Sequence, residues 1–152
     1  MTILNILKEP DPILRKKSSE VETINQETKK LMDSMLETMY QAPGIGLAAP
    51  QVGVLKKIIV IDLAKEDEPK KPLFMINPKI LWKSEELNTR EEGCLSIPGH
   101  YAEVTRPKKC KLQFLDYNGK QKEIEADDLL STCIQHEVCL LYTSPSPRDL
   151  ST

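Results

Sequence analysis

The stretch Asp127-Asp128-Leu129-Leu130-Ser131-Thr132-Cys133-Ile134-Gln135-His136-Glu137-Val138-Cys139-Leu140-Leu141 decides how the rest of the chain must be arranged. Two acids at its start suit the positive end of a helix. From Leu129 to Leu141 the only charged residue is Glu137. A helix that is apolar nearly all round is a buried one, so His136 and Glu137 belong inside the protein. A buried carboxylate needs a partner or a task. His-Glu on a helix is how some metalloenzymes set a ligand beside a catalytic carboxylate. Such sites read H-E-x-x-H, because residues i and i+4 share a helix face. Position 140 is Leu. Taken alone, the pair also fits a satisfied core histidine beside an incidental acid, or a zincin-type peptidase.

Working outward, Lys109–Tyr117 and Lys120–Ala126 flank Asn118-Gly119, the signature of a hairpin with a type I′ turn. Cys110, Leu112 and Phe114 alternate onto one face of its first strand. Lys57-Ile-Ile-Val-Ile-Asp62 is an apolar, β-branched run that predicts a buried strand, and Leu73–Asn77 predicts another, stopped by Pro78. Thr23-Ile-Asn-Gln26 has capping-box spacing and opens a helix to about Gln41. Its apolar positions Ile24, Leu31, Met32, Met35 and Met39 recur at helical intervals. Asp11-Pro12 predicts a short helix over Pro12–Lys17.

Composition narrows the classes. At 152 residues the chain is expected to be one domain with a single hydrophobic core. With 39% hydrophobic and 29% charged residues it is expected to fold and dissolve. The 21 basic residues are offset by 23 acids, which argues against a dedicated binder of nucleic acid or of anionic membranes. No run approaches the roughly 18 apolar residues of a membrane span. The start meets Lys8, Glu9 and Pro10 too soon for a signal peptide, and the four cysteines (94, 110, 133, 139) lack C-x-x-C spacing. They are expected to be reduced thiols of a cytoplasmic protein. With only two histidines, a three-histidine metal site is impossible, and any metal site must mix ligand types.

Two further motifs stand upstream. Gly44-Ile-Gly-Leu-Ala-Ala-Pro-Gln-Val-Gly53 satisfies a loose dinucleotide fingerprint, but a helix precedes it and Pro50 forbids an early helical amide. It is either a plain turn or a backbone that approaches a ligand closely, with Gln51 offering an amide donor. In Glu92-Gly-Cys-Leu-Ser-Ile-Pro-Gly99, Cys94 is open to three roles: buried packing, a nucleophile activated by His100 or His136, or a thiolate metal ligand.

Taken in order, G-I-G-L-A-A-P-Q-V-G, E-G-C-L-S-I-P and C-I-Q-H-E strongly resemble the peptide deformylase family over roughly residues 1–138. The resemblance implies an α+β fold: mixed, largely antiparallel sheets around a central buried helix that carries His-Glu. It implies a hydrolase that removes the formyl group from N-formylmethionyl ends of nascent peptides. Cys94 and His136 would be ligands of a divalent metal, Fe(II) by preference, with Zn, Ni or Co as substitutes. Glu137 would be the general acid and base, and Gln51 with the backbone amide of Leu95 would stabilise the oxyanion. Ile45, Gly46, Leu129 and Cys133 would line the methionine pocket. A cytoplasmic monomer is expected, without nucleic-acid or membrane partners.

The likeness stops at Val138. Cys139 stands where the family has aspartate, and Leu140 where it has its second histidine ligand. Residues 1–141 are therefore read as one domain, short of the family's carboxy-terminal elements, and 142–152 as a foreign, irregular tail. With one ligand replaced, a catalytically inactive remnant or a formyl-peptide-binding domain is the alternative to an active hydrolase.

Overall fold

The computed structural model describes residues 3–8, 12, 18–42, 44–64, 67–94 and 97–141, without the side chains of 94, 97–100, 102, 139 and 140. The expected helix at 12–17, apart from Pro12, and the tail 142–152 lie outside the described residues. In chain order the elements are α1 (Gln26–Gln41), β1 (Gly46–Ala48), β2 (Ile58–Ile61), β3 (Leu73–Lys83), β4 (Leu87–Cys94), β5 (Ile97–Pro107), β6 (Lys109–Leu115), β7 (Gln121–Asp127) and α2 (Asp128–Leu140). A 3-10 turn, Ala49–Val52, follows β1. The fold is α+β, with a five-stranded antiparallel sheet ordered β1-β2-β3-β6-β7 and a separate β4-β5 ribbon.

Strand β2 explains how the layers stack. All four of its residues are buried, and strand residues alternate between faces. Ile58 and Val60 pack with Met32, Met35 and Met39 of α1, while Ile59 and Ile61 pack with Ile134 and Val138 of α2. The sheet is thus covered on both faces. Instead of the single core expected from chain length, the described residues form two apolar clusters, one under each helix. Among the described residues no helix is long and apolar enough to cross a membrane.

Several local expectations are corrected. Helix α1 is capped by Asn25, not Thr23: the Asn25 side-chain Oδ1 accepts from the Thr28 amide at 3.0 Å. Asparagine satisfies an orphan N-terminal amide at least as well as threonine does. Pro78 does not stop β3. The strand absorbs it in a bulge between Ile76 and Lys79, where a missing amide breaks no ladder bond. Asn77 there has φ +52°, and its side chain both accepts from the Val21 amide (2.8 Å) and donates to the Val21 carbonyl (2.9 Å). Between β6 and β7, Asn118 lacks the positive φ that a type I′ turn demands. The Gly119 amide donates to the Asp116 carbonyl at 2.9 Å, and Gly119 alone, at φ +84°, takes the left-handed position. His100 lies within β5.

Candidate active site

The β4-β5 ribbon, which the sequence pattern does not reveal, brings the charged groups together. In its antiparallel register Glu92 opposes Ala102 and Asn88 opposes Arg106, so Glu92 and Arg106 fall on the same face. Arg106 grips Glu92 with two bonds: Nε donates to Oε2 at 2.8 Å and Nη2 to Oε1 at 2.9 Å. Both residues are buried. Glu92 Oε1 also lies 3.0 Å from Nδ1 of His136. A carboxylate can only accept, so Nδ1 carries a proton, and whenever the ring is neutral its lone pair is on Nε2. A carboxylate behind an imidazole is the arrangement that fixes a metal-ligating histidine. Burial alone would raise the Glu92 carboxyl, but the bonds from His136 and Arg106 outweigh it and hold the carboxyl below its ordinary range.

Helix α2 meets the ribbon through Gln135, whose amide donates to the Pro107 carbonyl and to Ser131 Oγ, both at 2.9 Å. Its neighbours His136 and Glu137 are each 6% exposed. Glu137 is wedged against β1: a Cβ on Gly46 would sit 3.0 Å from its Oε1. A side chain at position 46 would press on the carboxyl, which would have to give by a few tenths of an ångström. Glu137 Oε2 is buried without a hydrogen-bond partner among the described residues. Burial, reinforced by the nearby Glu92 charge and opposed by His136 and Arg106, pushes the Glu137 carboxyl up to about 7. An acid with that value can take a proton and return it at neutral pH.

These groups line a cavity of about 1000 Å³. Ile45, Gly46, Leu129 and Cys133, expected in a methionine pocket, line it together with His136 and Glu137. Cys133 is buried, and its thiol is pushed up to about 12 by burial and by the Glu137 and Glu92 charges. It is a protonated wall residue rather than a thiolate. Gln51 is buried and does not line the cavity; its side-chain oxygen accepts from the Ala48 amide at 2.9 Å. Cys94 ends β4, two residues after Glu92, and its side chain lies outside the described residues, as does all of Leu95.

The cavity also has walls that the motifs do not name. Segment 3–8 closes one side, held by the Leu4 amide donating to Thr38 Oγ1 (2.8 Å) and the Leu7 amide donating to the Gln51 carbonyl (2.6 Å). Arg90 and Tyr101 of the ribbon close another, the Tyr101 ring lying over Gly93. Nothing in the pattern of 3–8 marks it as a wall. The Arg106–Glu92 pair could have been found only by first recognising the ribbon.

The donor set can be weighed against a metal ion. His136 brings an imidazole to the cavity, and the side chain of Cys94 lies outside the described residues. One helical turn beyond His136, position 140 is a hydrocarbon side chain. Among the described residues no cluster of three ligating groups exists. The described residues alone do not supply the usual three protein ligands of a catalytic metal site.

Comparison with known proteins agrees with this geometry. A family model for polypeptide deformylase matches residues 3–141. A peptide deformylase of Rhizobium meliloti is 54% identical over 157 residues, covering 99% of this chain and 90% of the relative. The crystal structure of a peptide deformylase from Legionella pneumophila superposes with a TM-score of 0.91 at 38% identity, covering 99% of this chain and 87% of that one. That of the Ehrlichia chaffeensis peptide deformylase in complex with actinonin gives 0.88 at 41% identity, with 99% and 94% covered.

Proposed function

Because this chain belongs to the polypeptide deformylase family, we propose that its cavity takes the formylated methionyl end of a nascent peptide and positions its formyl group beside Glu137. Deformylases are metal-dependent hydrolases that free the amino terminus of new proteins. The observation that carries the reading is the buried Glu137 carboxyl, pushed up to about 7, next to an imidazole oriented by Glu92 and Arg106.

In this reading the methionine side chain packs against Ile45, Gly46, Leu129 and Cys133. Glu137 takes a proton from the attacking water and passes it to the departing amine. The new bond joins the water oxygen to the formyl carbon, and the carbon–nitrogen bond breaks. The products are formate and a free amino-terminal methionine, so no atom or charge is left over. The Gln51 carboxamide and the Leu95 amide are the donors we assign to the developing oxyanion, each typically worth about 3–4 kcal/mol in such sites. Fe(II) is the ion we assign to a completed site, with Zn, Ni or Co as substitutes and Cys94 and His136 as two of its ligands. A monomer working in the cytoplasm, where nascent chains emerge, fits this substrate.

Leu140 supports a second reading, a domain that binds formyl-peptide ends without turning them over. Formate release from formyl-Met-Ala by the Leu140→His chain with added Fe(II) or Ni(II) tests the hydrolase reading. Formate should appear from the formylated peptide, and the acetylated one should stay intact. Adding Glu137→Ala should lower the rate by about 10²–10⁴-fold, the usual worth of a general acid–base group. A metal-loaded, folded Leu140→His chain that binds formyl-Met-Ala without releasing formate would favour the second reading.

A further inference from the structure

Arg90 brings a positive charge to the cavity wall. It lies in β4 two residues before Glu92, so both side chains leave the same face of the ribbon. Across the ribbon it opposes the buried Val104. The carboxylate beside it is already engaged, because Arg106 and His136 both bond to Glu92. The Arg90 side chain is half-buried, and its Nε is shut away from water. That Nε has no hydrogen-bond partner among the described residues, neither Glu92 nor the exposed Glu91. A buried N–H without a bond is a standing cost, relieved when a ligand brings an acceptor. The neighbours say which part of a ligand that is. Arg90 and Cys133 line the same cavity. Burial raises the Cys133 thiol, and the Arg90 charge works against that rise, so the guanidinium is within electrostatic reach of the wall assigned above to the methionine side chain. Ile45, Gly46 and Leu129, the rest of that wall, bring it no charged or polar side chain.

We propose that Arg90 is a specificity-determining residue of this cavity, and that it lets the pocket accept peptides beginning with formyl-methionine sulfoxide. The proposal rests on the deformylase reading of the pocket. A thioether offers Arg90 only a weak acceptor, whereas oxidation of methionine places a polar oxygen on the same sulfur. In a wholly apolar pocket that oxygen would lose its water without replacement. Beside Arg90, Nε donates to it, and two unsatisfied groups satisfy each other. The hydrocarbon stem of the arginine still packs against an unoxidised side chain.

The test follows the Arg90 Nε–H resonance of the full chain by NMR, identified as the side-chain signal missing from Arg90→Leu. Arg90→Lys, which keeps the charge but lacks Nε, identifies it should Arg90→Leu not fold. Formyl-Met-Ala, its sulfoxide, formyl-norleucine-Ala and formyl-Met-Asp are titrated in turn. The sulfoxide should move the resonance strongly, and the norleucine peptide, which has no acceptor in its side chain, far less. In Arg90→Leu the affinity for the sulfoxide relative to the norleucine peptide should fall by about 10–100-fold, the worth of a hydrogen bond to a charged group. An unchanged ratio overturns the proposal. So does a sulfoxide that binds the parent without moving the resonance, a result that needs no folded leucine variant. A response to formyl-Met-Asp but not to the sulfoxide places Arg90 beside the second residue and overturns it as well. A parent that binds formyl-Met-Ala but rejects the sulfoxide removes the proposal and leaves the deformylase reading. A parent that binds none of the four peptides removes both. A parent that binds the sulfoxide through Arg90, while Leu140→His loaded with Fe(II) releases no formate, keeps the proposal and removes the hydrolase reading instead.

Discussion

Glu137 and Arg106 are single residues whose environments make opposite demands. The Glu137 carboxyl rises from its ordinary 4.5 to about 7 because burial disfavours its charge. A carboxyl with a raised folded-state value contributes stability that is full below pH 4.5 and lost as the pH climbs through 7. In the metal-free chain, ionising Glu137 should cost about 3 kcal/mol, since each tenfold change in proton affinity is worth about 1.36 kcal/mol. Urea unfolding across this range should show Glu137→Gln matching the parent near pH 4.5 and gaining about 3 kcal/mol on it by about pH 8. Arg106 is buried in order to compensate a charge. Arg106→Met strands the Glu92 carboxylate and should destabilise the chain by about 3–5 kcal/mol in chemical denaturation. His136 and Glu137 were legible in the sequence because an apolar helix leaves a polar pair nothing else to be. Arg106 was not, because an arginine 14 residues from its partner gains meaning only once the ribbon exists.

At the scale of elements, helical spacing located α1, continuous apolar runs located α2 and β2, and the Asn-Gly turn with its alternating first strand located the β6-β7 hairpin. Strands β4 and β5 escaped notice because their burial is irregular. Leu87 and Tyr101 are exposed, whereas Glu92 and Arg106 are buried, which inverts the usual pattern. Strand β3 escaped in part because Pro78 reads as a stop, while the fold uses it in a bulge. Asn77 holds that bulge through its positive φ and its two bonds to Val21. Asn77→Ala should lose about 1–3 kcal/mol in thermal or urea unfolding, through the stranded Val21 groups. Asn77→Gly should lose less, because glycine accepts the left-handed backbone. Equal losses would mean that φ contributes nothing there.

Over the whole molecule, the two-sided sheet lets α2 serve as the central helix. One face packs on Ile59, Met75 and Leu112, and the other carries His136 and Glu137 toward the cavity. The family fold, the polar pair and the part of the cavity wall made by Ile45, Gly46 and Cys133 were legible in three short motifs. Segment 3–8 was not, because its role is to close a cavity that only the folded chain creates. In the reading proposed above, the hydrolytic site lacks a ligand at one helical position, Leu140. The most direct check is the initial rate of formate release from formyl-Met-Ala, measured for the parent and Leu140→His side by side at equal added Ni(II). Turnover by the variant alone is the expected result. Equal turnover by the parent would contradict the account, because position 140 would then not be where the site is incomplete.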